Sequence, residues 1–228
     1  MSKFTDILLG VLIAPIAPFL LLISCFLPDE AKNIAILGPK RAGKSTLWLG
    51  LGGVNEYIPN TPGIEPIKSF SITRADGTTV VISDSYDIGG EDEYVSNYGM
   101  LIDKGTFIYY LVDANKVSSP EYMTRVRSDL VRIDKTVKEK KISDDELGFK
   151  FILTNYYDYT KNNPRNSEYE LYRVFLNSLK KSEGRGVIGE RINENEFEKI
   201  MMVAELEPKH AAELGKNYID IIKNEIGG

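Results

Sequence analysis

The stretch Gly38-Pro39-Lys40-Arg41-Ala42-Gly43-Lys44-Ser45 constrains this chain more than any other. It follows the spacing G-x-x-x-x-G-K-S. Glycine reaches backbone conformations closed to other residues, so such a loop can turn successive N–H groups inward and wrap a polyphosphate. In this spacing Lys44 reaches the β and γ phosphates and the Ser45 hydroxyl ligates Mg2+. The arrangement requires a strand before it and a helix behind it, whose N-terminus favours an anion. Both flanks fit. Asn33–Leu37 reads as a short apolar strand, and Ser45–Leu51 reads as a helix ended by Gly52-Gly53.

Downstream, strand and helix patterns alternate. A polar, proline-rich loop, "NEYIPNTPGIEP", is followed by β-type runs at Ile67–Arg74 and Thr78–Ser83, joined by the hairpin signal Ala75-Asp76-Gly77. "DIGGEDEY" reads as another loop. Thr106–Ala114 and Phe149–Thr154 are nearly continuous apolar runs, the pattern of strands buried on both faces. Pro120–Lys141 and Ser167–Leu179 read as helices. In the second, Tyr169, Tyr172, Leu176 and Leu179 form a core-facing stripe. "GRGVIGE" reads as a loop and Lys199–Leu206 as a last central strand. Pro208–Ile226 closes as one helix with proline in its first turn. This order implies an α/β fold, a mainly parallel sheet with helices on both faces.

The later loops resemble those of the small GTPases, most closely the ADP-ribosylation-factor branch and the beta subunit of the signal-recognition-particle receptor. "PNTPGI" carries Thr61 at the family's switch I threonine, and "DIGGED" is similar to its D-x-G-G-Q element. "TNYYD" stands where the family has N-K-x-D, with Asn155 and Asp158 matching. "VAEL" resembles the weak fifth element. The resemblance implies a G domain over residues 31–228, binding GTP or GDP with Mg2+. Gly38, Lys40, Arg41, Ala42, Gly43, Lys44, Ser45 and Thr46 would cradle phosphate, and Ser45, Thr61 and Asp87 would hold the metal. The Gly90 amide would meet the γ-phosphate. Asp158 would accept two N–H bonds from guanine, and the Ala204 amide would serve the guanine oxygen.

Two departures bear on chemistry. Glu91 replaces the glutamine that orients the attacking water, adding charge beside an anionic phosphate. Slow hydrolysis is the expectation, unless Glu91 is protonated, turned away or acting as a base. Tyr156 replaces the lysine of N-K-x-D, which lowers guanine affinity unless its ring stacks on base or ribose. Lys40 and Arg41 bring two cations into the loop, to steady phosphate or to face solvent.

A second feature sits just upstream. After the short tail of residues 1–6, the run Ile7–Leu27 carries no charge. As a helix it would span roughly 30 Å, the thickness of the hydrocarbon core. It lacks the basic n-region and small-residue cleavage site of a signal peptide. Residues 7–27 therefore read as a membrane anchor. Pro15 and Pro18 leave open a hairpin beside the favoured single span. Lys32, Lys40 and Arg41 after the run place the domain on the cytosolic side. The tether, little more than "PDEAK", extends about 3.5 Å per residue, less than a domain diameter, which holds the domain near the bilayer.

Composition removes other classes. A net charge of −5 gives no field for nucleic acid. The single cysteine, Cys25, rules out a disulfide framework and stands as apolar filler, with lipidation as the alternative. The single histidine, His210, reads as a surface or cap residue, and Lys135–Lys141 as the basic end of a solvated helix. The sequence thus describes a membrane-anchored GTPase switch with weak hydrolysis, its switch loops offered to a protein partner. The alternatives are a hydrolysis-deficient GTP-binding scaffold or receptor module and, last, an ATPase of another phosphate-loop class.

Overall fold

The computed structural model describes residues 31–54, 56, 63–180 and 199–226. The chain divides into two units, Met1–Ala31 and Lys32–Gly228, and apart from Ala31 the described residues lie in the second. The anchor expected over residues 7–27, Thr61 and the "GRGVIGE" loop fall outside them. Among the described residues no helix is long and apolar enough to cross a membrane.

Four parallel strands form the central sheet in the order β1 (Asn33–Leu37), β6 (Thr106–Asp113), β7 (Gly148–Thr154), β8 (Met201–Val203). Ile34 pairs with Phe107, Tyr110 with Phe151 and Ile152 with Met202. Residues 108–113 of β6 are all buried, as expected of a strand covered on both faces. Alternation along the strands shows what covers each face. On one face Tyr110 and Phe151 stack edge-on, Phe151 meets Phe175 of α5 (Glu168–Lys180), and Tyr110 bonds Asp129 of α3 (Pro120–Glu139). On the other, Lys150, the partner of Tyr109, bonds Glu225 of α7 (Tyr218–Glu225). Helices therefore cover both faces, as the sequence pattern implied.

The hairpin is longer than its sequence suggests. β3 (Phe70–Thr73) pairs with β4 (Thr79–Ile82), and β2 (Ile64–Ile67) pairs with β5 (Ser85–Ile88). One register runs through both ladders. At the interruption the Asp84 carboxylate takes the place of a ladder bond, accepting the Ser69 N–H at 2.7 Å. The hairpin joins the free edge of β1 through Lys32, whose N–H donates to Val81 O and whose carbonyl accepts from Ser83 N–H.

Three expectations change. Residues 64–66 and 87–88, assigned to loops, belong to the strands β2 and β5. The C-terminal helix is two, α6 (Pro208–Glu213) and α7, parted at Gly215, which sits at φ 66, with Asn217 capping α7. Tyr169, expected in the core, is 53% exposed, while Leu171, Phe175 and Leu176 are the buried face of α5. The helix of the phosphate loop, α1 (Lys44–Leu51), packs on α7, where a Cβ on Gly50 would meet Ile219 at 2.6 Å.

Candidate nucleotide site

All four parallel strands end at one edge, where ligands of open α/β sheets bind. After β1 the loop Gly38–Ser45 turns through three left-handed positions, Gly38 at φ 140, Arg41 at φ 62 and Gly43 at φ 93. Gly38 is required for space as well. A Cβ there would lie 2.3 Å from the Leu111 carbonyl oxygen of β6. Ala42 is buried and its carbonyl accepts the Thr154 hydroxyl at 3.0 Å, which ties the end of β7 to the phosphate loop.

Lys44 is 6% exposed and its Nζ donates to the carbonyls of Gly38 and Pro39 at 2.9 and 3.1 Å. Burial pulls its pKa down to about 8, against the opposing charges of Asp87 and Asp129. Ser45 and Asp87 line one cavity of about 250 Å3, together with Trp48, Glu65 and Phe70. Asp87 is buried and its Oδ1 has no hydrogen-bond partner. A hydroxyl beside an orphaned buried carboxylate oxygen fits a hard cation with oxygen ligands, so these residues suit Mg2+.

The loop after β5 lies directly on the phosphate loop. A Cβ on Gly90 would come within 2.2 Å of Lys40 N. Next to it Glu91 forms an ion pair with Lys40. Of the two cations whose direction was left open, Lys40 thus faces Glu91, while Arg41 is exposed. The Glu91 carboxylate is turned toward Lys40.

On the base side, Asn155 caps α4 (Tyr156–Asn162) at φ 56, and its carbonyl accepts Asn115 Nδ2 at 3.2 Å. Asp158 is exposed in the first turn of α4. Tyr156 is buried and stacks on Tyr159 at 6.3 Å, so its ring packs within the protein. The Ala204 amide donates to Leu153 O at 2.8 Å and is engaged in the sheet. Glu205 accepts the N–H of Tyr157 and of Glu207, both at 3.0 Å, joining the loop after β8 to α4. Burial raises its carboxyl pKa and those N–H bonds oppose the rise. Thr46 is buried and, with Glu205 and Leu206, lines a cavity of about 340 Å3 that reaches Tyr218 and Ile219.

Sequence reasoning missed a buried cluster beneath the loops. Tyr98, in the 3-10 turn Ser96–Met100, donates its hydroxyl to Gly38 O. Arg125 reaches Gly90 O at 3.5 Å and pairs with Asp129 at 2.9 Å, and Asp129 accepts the Tyr110 hydroxyl. Asp129 carried a signal, being an acid inside the apolar stripe Met123, Val126, Ile133, Val137. Tyr98 carried none.

No protein-family model matches the chain, and no curated protein matches it. Among solved structures it is similar to Toc33 from Arabidopsis thaliana in complex with GDP and Mg2+, with TM-score 0.52 and 18% identity, over 89% of this chain and 84% of that one. It is also similar to the signal recognition particle receptor SRb-GTP/SRX complex from Chaetomium thermophilum, with TM-score 0.48 and 11% identity, over 78% of this chain and 90% of that one. A third is the bacterial selenocysteine-specific elongation factor EF-Sec, with TM-score 0.45, 19% identity and coverage of 85%. The chain spans only 27% of that factor's length. The likeness to Toc33, at 18% identity, is one of fold. The unit from Lys32 onward has an α/β fold, a parallel central sheet with helices, that matches the fold of a G domain.

Proposed function

We propose that the chain is a membrane-anchored switch protein that binds GTP with Mg2+ and hydrolyses it slowly. One observation carries the reading. Four strand-end loops are stitched together around the phosphate loop, by Thr154 to Ala42, Asn115 to Asn155, and Tyr157 to Glu205. In this reading Lys44 leaves the carbonyls of Gly38 and Pro39 for the β and γ phosphates. Ser45 and Asp87, with Thr61, hold the metal. Bound Mg2+ neutralises phosphate charge. Asp158 accepts two N–H bonds from guanine, a pair that adenine does not offer.

Residues 7–27 lie in the bilayer and the G domain faces the cytosol, its switch loops read by a protein partner in the triphosphate state. The test is equilibrium binding of labelled GDP, GTP and ATP to the full chain in nanodiscs. Guanine preference of at least about tenfold, abolished by Lys44→Ala, is expected. ATP preference, or no binding that depends on Lys44, overturns the reading. Flotation with vesicles, lost on deletion of residues 7–27, tests the anchor.

The Lys40–Glu91 pair favours a second reading, a GTP-holding scaffold or receptor module, because a carboxylate engaged with Lys40 orients no water. Single-turnover hydrolysis separates the two. A rate that rises on Glu91→Gln identifies a slow enzyme, and no turnover in either form identifies the scaffold.

A further inference from the structure

The two ion pairs near the phosphate loop differ in kind. Arg125–Asp129 is fixed, with Asp129 only 1% exposed and held also by Tyr110. Separating buried partners leaves a costly bare charge, so this pair stays closed. Lys40–Glu91 is open to solvent, with side chains 42% and 39% exposed. Both partners can be rehydrated, and such a pair opens at little cost. Lys40 nevertheless stands in the phosphate loop itself, two positions after Gly38, and the Gly90 backbone lies upon it.

We propose that Lys40 is a specificity-determining residue that selects nucleoside triphosphate over diphosphate by exchanging one anion for another. Paired with Glu91 while no terminal phosphate is present, it pairs with the terminal phosphate when one enters, and Glu91 moves toward solvent. This rests on the nucleotide reading above and extends it to the discrimination between the two states.

The electrostatics require an exchange of this kind. A terminal phosphate brings further negative charge to a loop where the Glu91 carboxylate already stands, and like charges at such range repel. Lys40 can neutralise one of the two anions but is shared poorly between both. The phosphate, with more charge and more acceptor oxygens, is the stronger partner. Glu91 is next to Gly90 in the chain, and its ion pair ties that loop to Lys40. Gly90 is held to α3 by a bond at the long limit, 3.5 Å from Arg125 Nη2. Partner exchange at Lys40 therefore removes one of the ties between the loop of Gly90 and Glu91 and the phosphate loop. Lys44 is shared between the β phosphate, common to both nucleotides, and the γ phosphate, so Lys40 adds a second cation to the group that tells them apart.

The test measures dissociation constants of GDP and of a non-hydrolysable GTP analogue, with Mg2+, for the full chain in nanodiscs. The readout is the ratio of the two affinities. Lys40→Ala is expected to cut the analogue's advantage over GDP roughly five- to tenfold, and Lys40→Arg to restore most of it. Glu91→Ala is expected to raise the ratio roughly fivefold, the opposite sign for the other half of the same pair. A purely structural role would move both affinities together. Lys40→Ala weakening GDP and analogue equally, or Glu91→Ala leaving the ratio unchanged, overturns the proposal while nucleotide binding stands. Wild-type protein that binds neither nucleotide overturns the functional reading and this inference with it.

Discussion

The Tyr98 hydroxyl donates to the carbonyl of Gly38 at 3.0 Å and receives the Gly38 N–H at 3.4 Å. A side chain that follows the loop of Gly90 and Glu91 thus holds the first glycine of the phosphate loop by both backbone groups. Tyr98 is 1% exposed, and burial raises its pKa, so it stays a neutral donor. Tyr98→Phe keeps the ring and removes the hydroxyl. Gly38 O retains Lys44 Nζ as a donor, but the Gly38 N–H loses its acceptor. A loss of about 1–2 kcal/mol in stability is expected in thermal unfolding, with faster nucleotide release in a chase experiment. Unchanged release would separate Tyr98 from the site.

Two glycines with positive φ should respond differently to alanine. Gly38 (φ 140) and Gly77 (φ 84) both lie where a side chain is strained. At Gly77, in the hairpin turn, a Cβ meets nothing within 4 Å, so only the backbone term remains, about 1 kcal/mol. At Gly38 the Cβ strikes the Leu111 carbonyl oxygen in the centre of the sheet, which cannot yield cheaply. Gly38→Ala is expected to cost roughly 3 kcal/mol or more and to abolish phosphate binding. Equal melting temperatures for the two variants would contradict the geometry.

Lys44 gives opposite pH trends for folding and for binding. Its folded-state pKa of about 8 lies below the ordinary lysine value of 10.5. Between those values the unfolded chain holds more protons, so the ligand-free domain gains stability as pH rises, by roughly 1 kcal/mol from pH 8 to 9. The cost of the buried charge is fully present below pH 8. Nucleotide binding runs the other way. Phosphate raises the lysine's pKa, so binding takes up a proton above pH 8 and affinity falls about tenfold per pH unit well above it. Denaturation midpoints and dissociation constants from pH 7 to 9.5 check both signs, and Lys44→Arg should flatten each curve.

Trp48, the sole tryptophan, is 3% exposed and lines the cavity shared by Ser45 and Asp87. Its indole nitrogen is buried without a hydrogen-bond partner. Adding Mg2+ to nucleotide-loaded protein should therefore shift its emission, because the orphaned Asp87 carboxylate lines the same cavity. Asp87→Ala should remove the Mg2+-dependent part of the signal and leave the metal-independent part. Persistence of the full response in that variant would place the metal elsewhere.

What the sequence disclosed follows from what each residue type can do alone. Gly38, Gly43 and Lys44 were legible because their spacing has few other uses. β6 and β7 were legible because strands covered on both faces are apolar throughout. β2 was hidden by Pro66, which lacks an N–H, yet among the described residues the strand pairs only with β5 and tolerates it there. β5 was hidden because two of its three buried positions, Ser85 and Asp87, are polar and its exposed one, Tyr86, is aromatic. Ser85 bonds the Ile34 carbonyl, and Asp87 lines the cavity it shares with Ser45. The split of the last helix hangs on Gly215 alone, which also suits a helix end. Asn155, Asp158 and Ala204 follow β7 and β8, but only the structure shows that Tyr156 packs on Tyr159 and that the Ala204 amide belongs to the ladder.

Lys32 is the residue before β1, and its backbone is held on the side away from β6. Its N–H and carbonyl bond Val81 and Ser83, while β1, beginning one residue later, is paired along its whole length with β6. Tension applied through the preceding chain therefore reaches β1 at a residue already bonded to the hairpin. Pulled along its axis, the strand loads its β6 ladder in shear, together with the two Lys32 bonds, and the phosphate loop at the far end of β1 lies on the line of force.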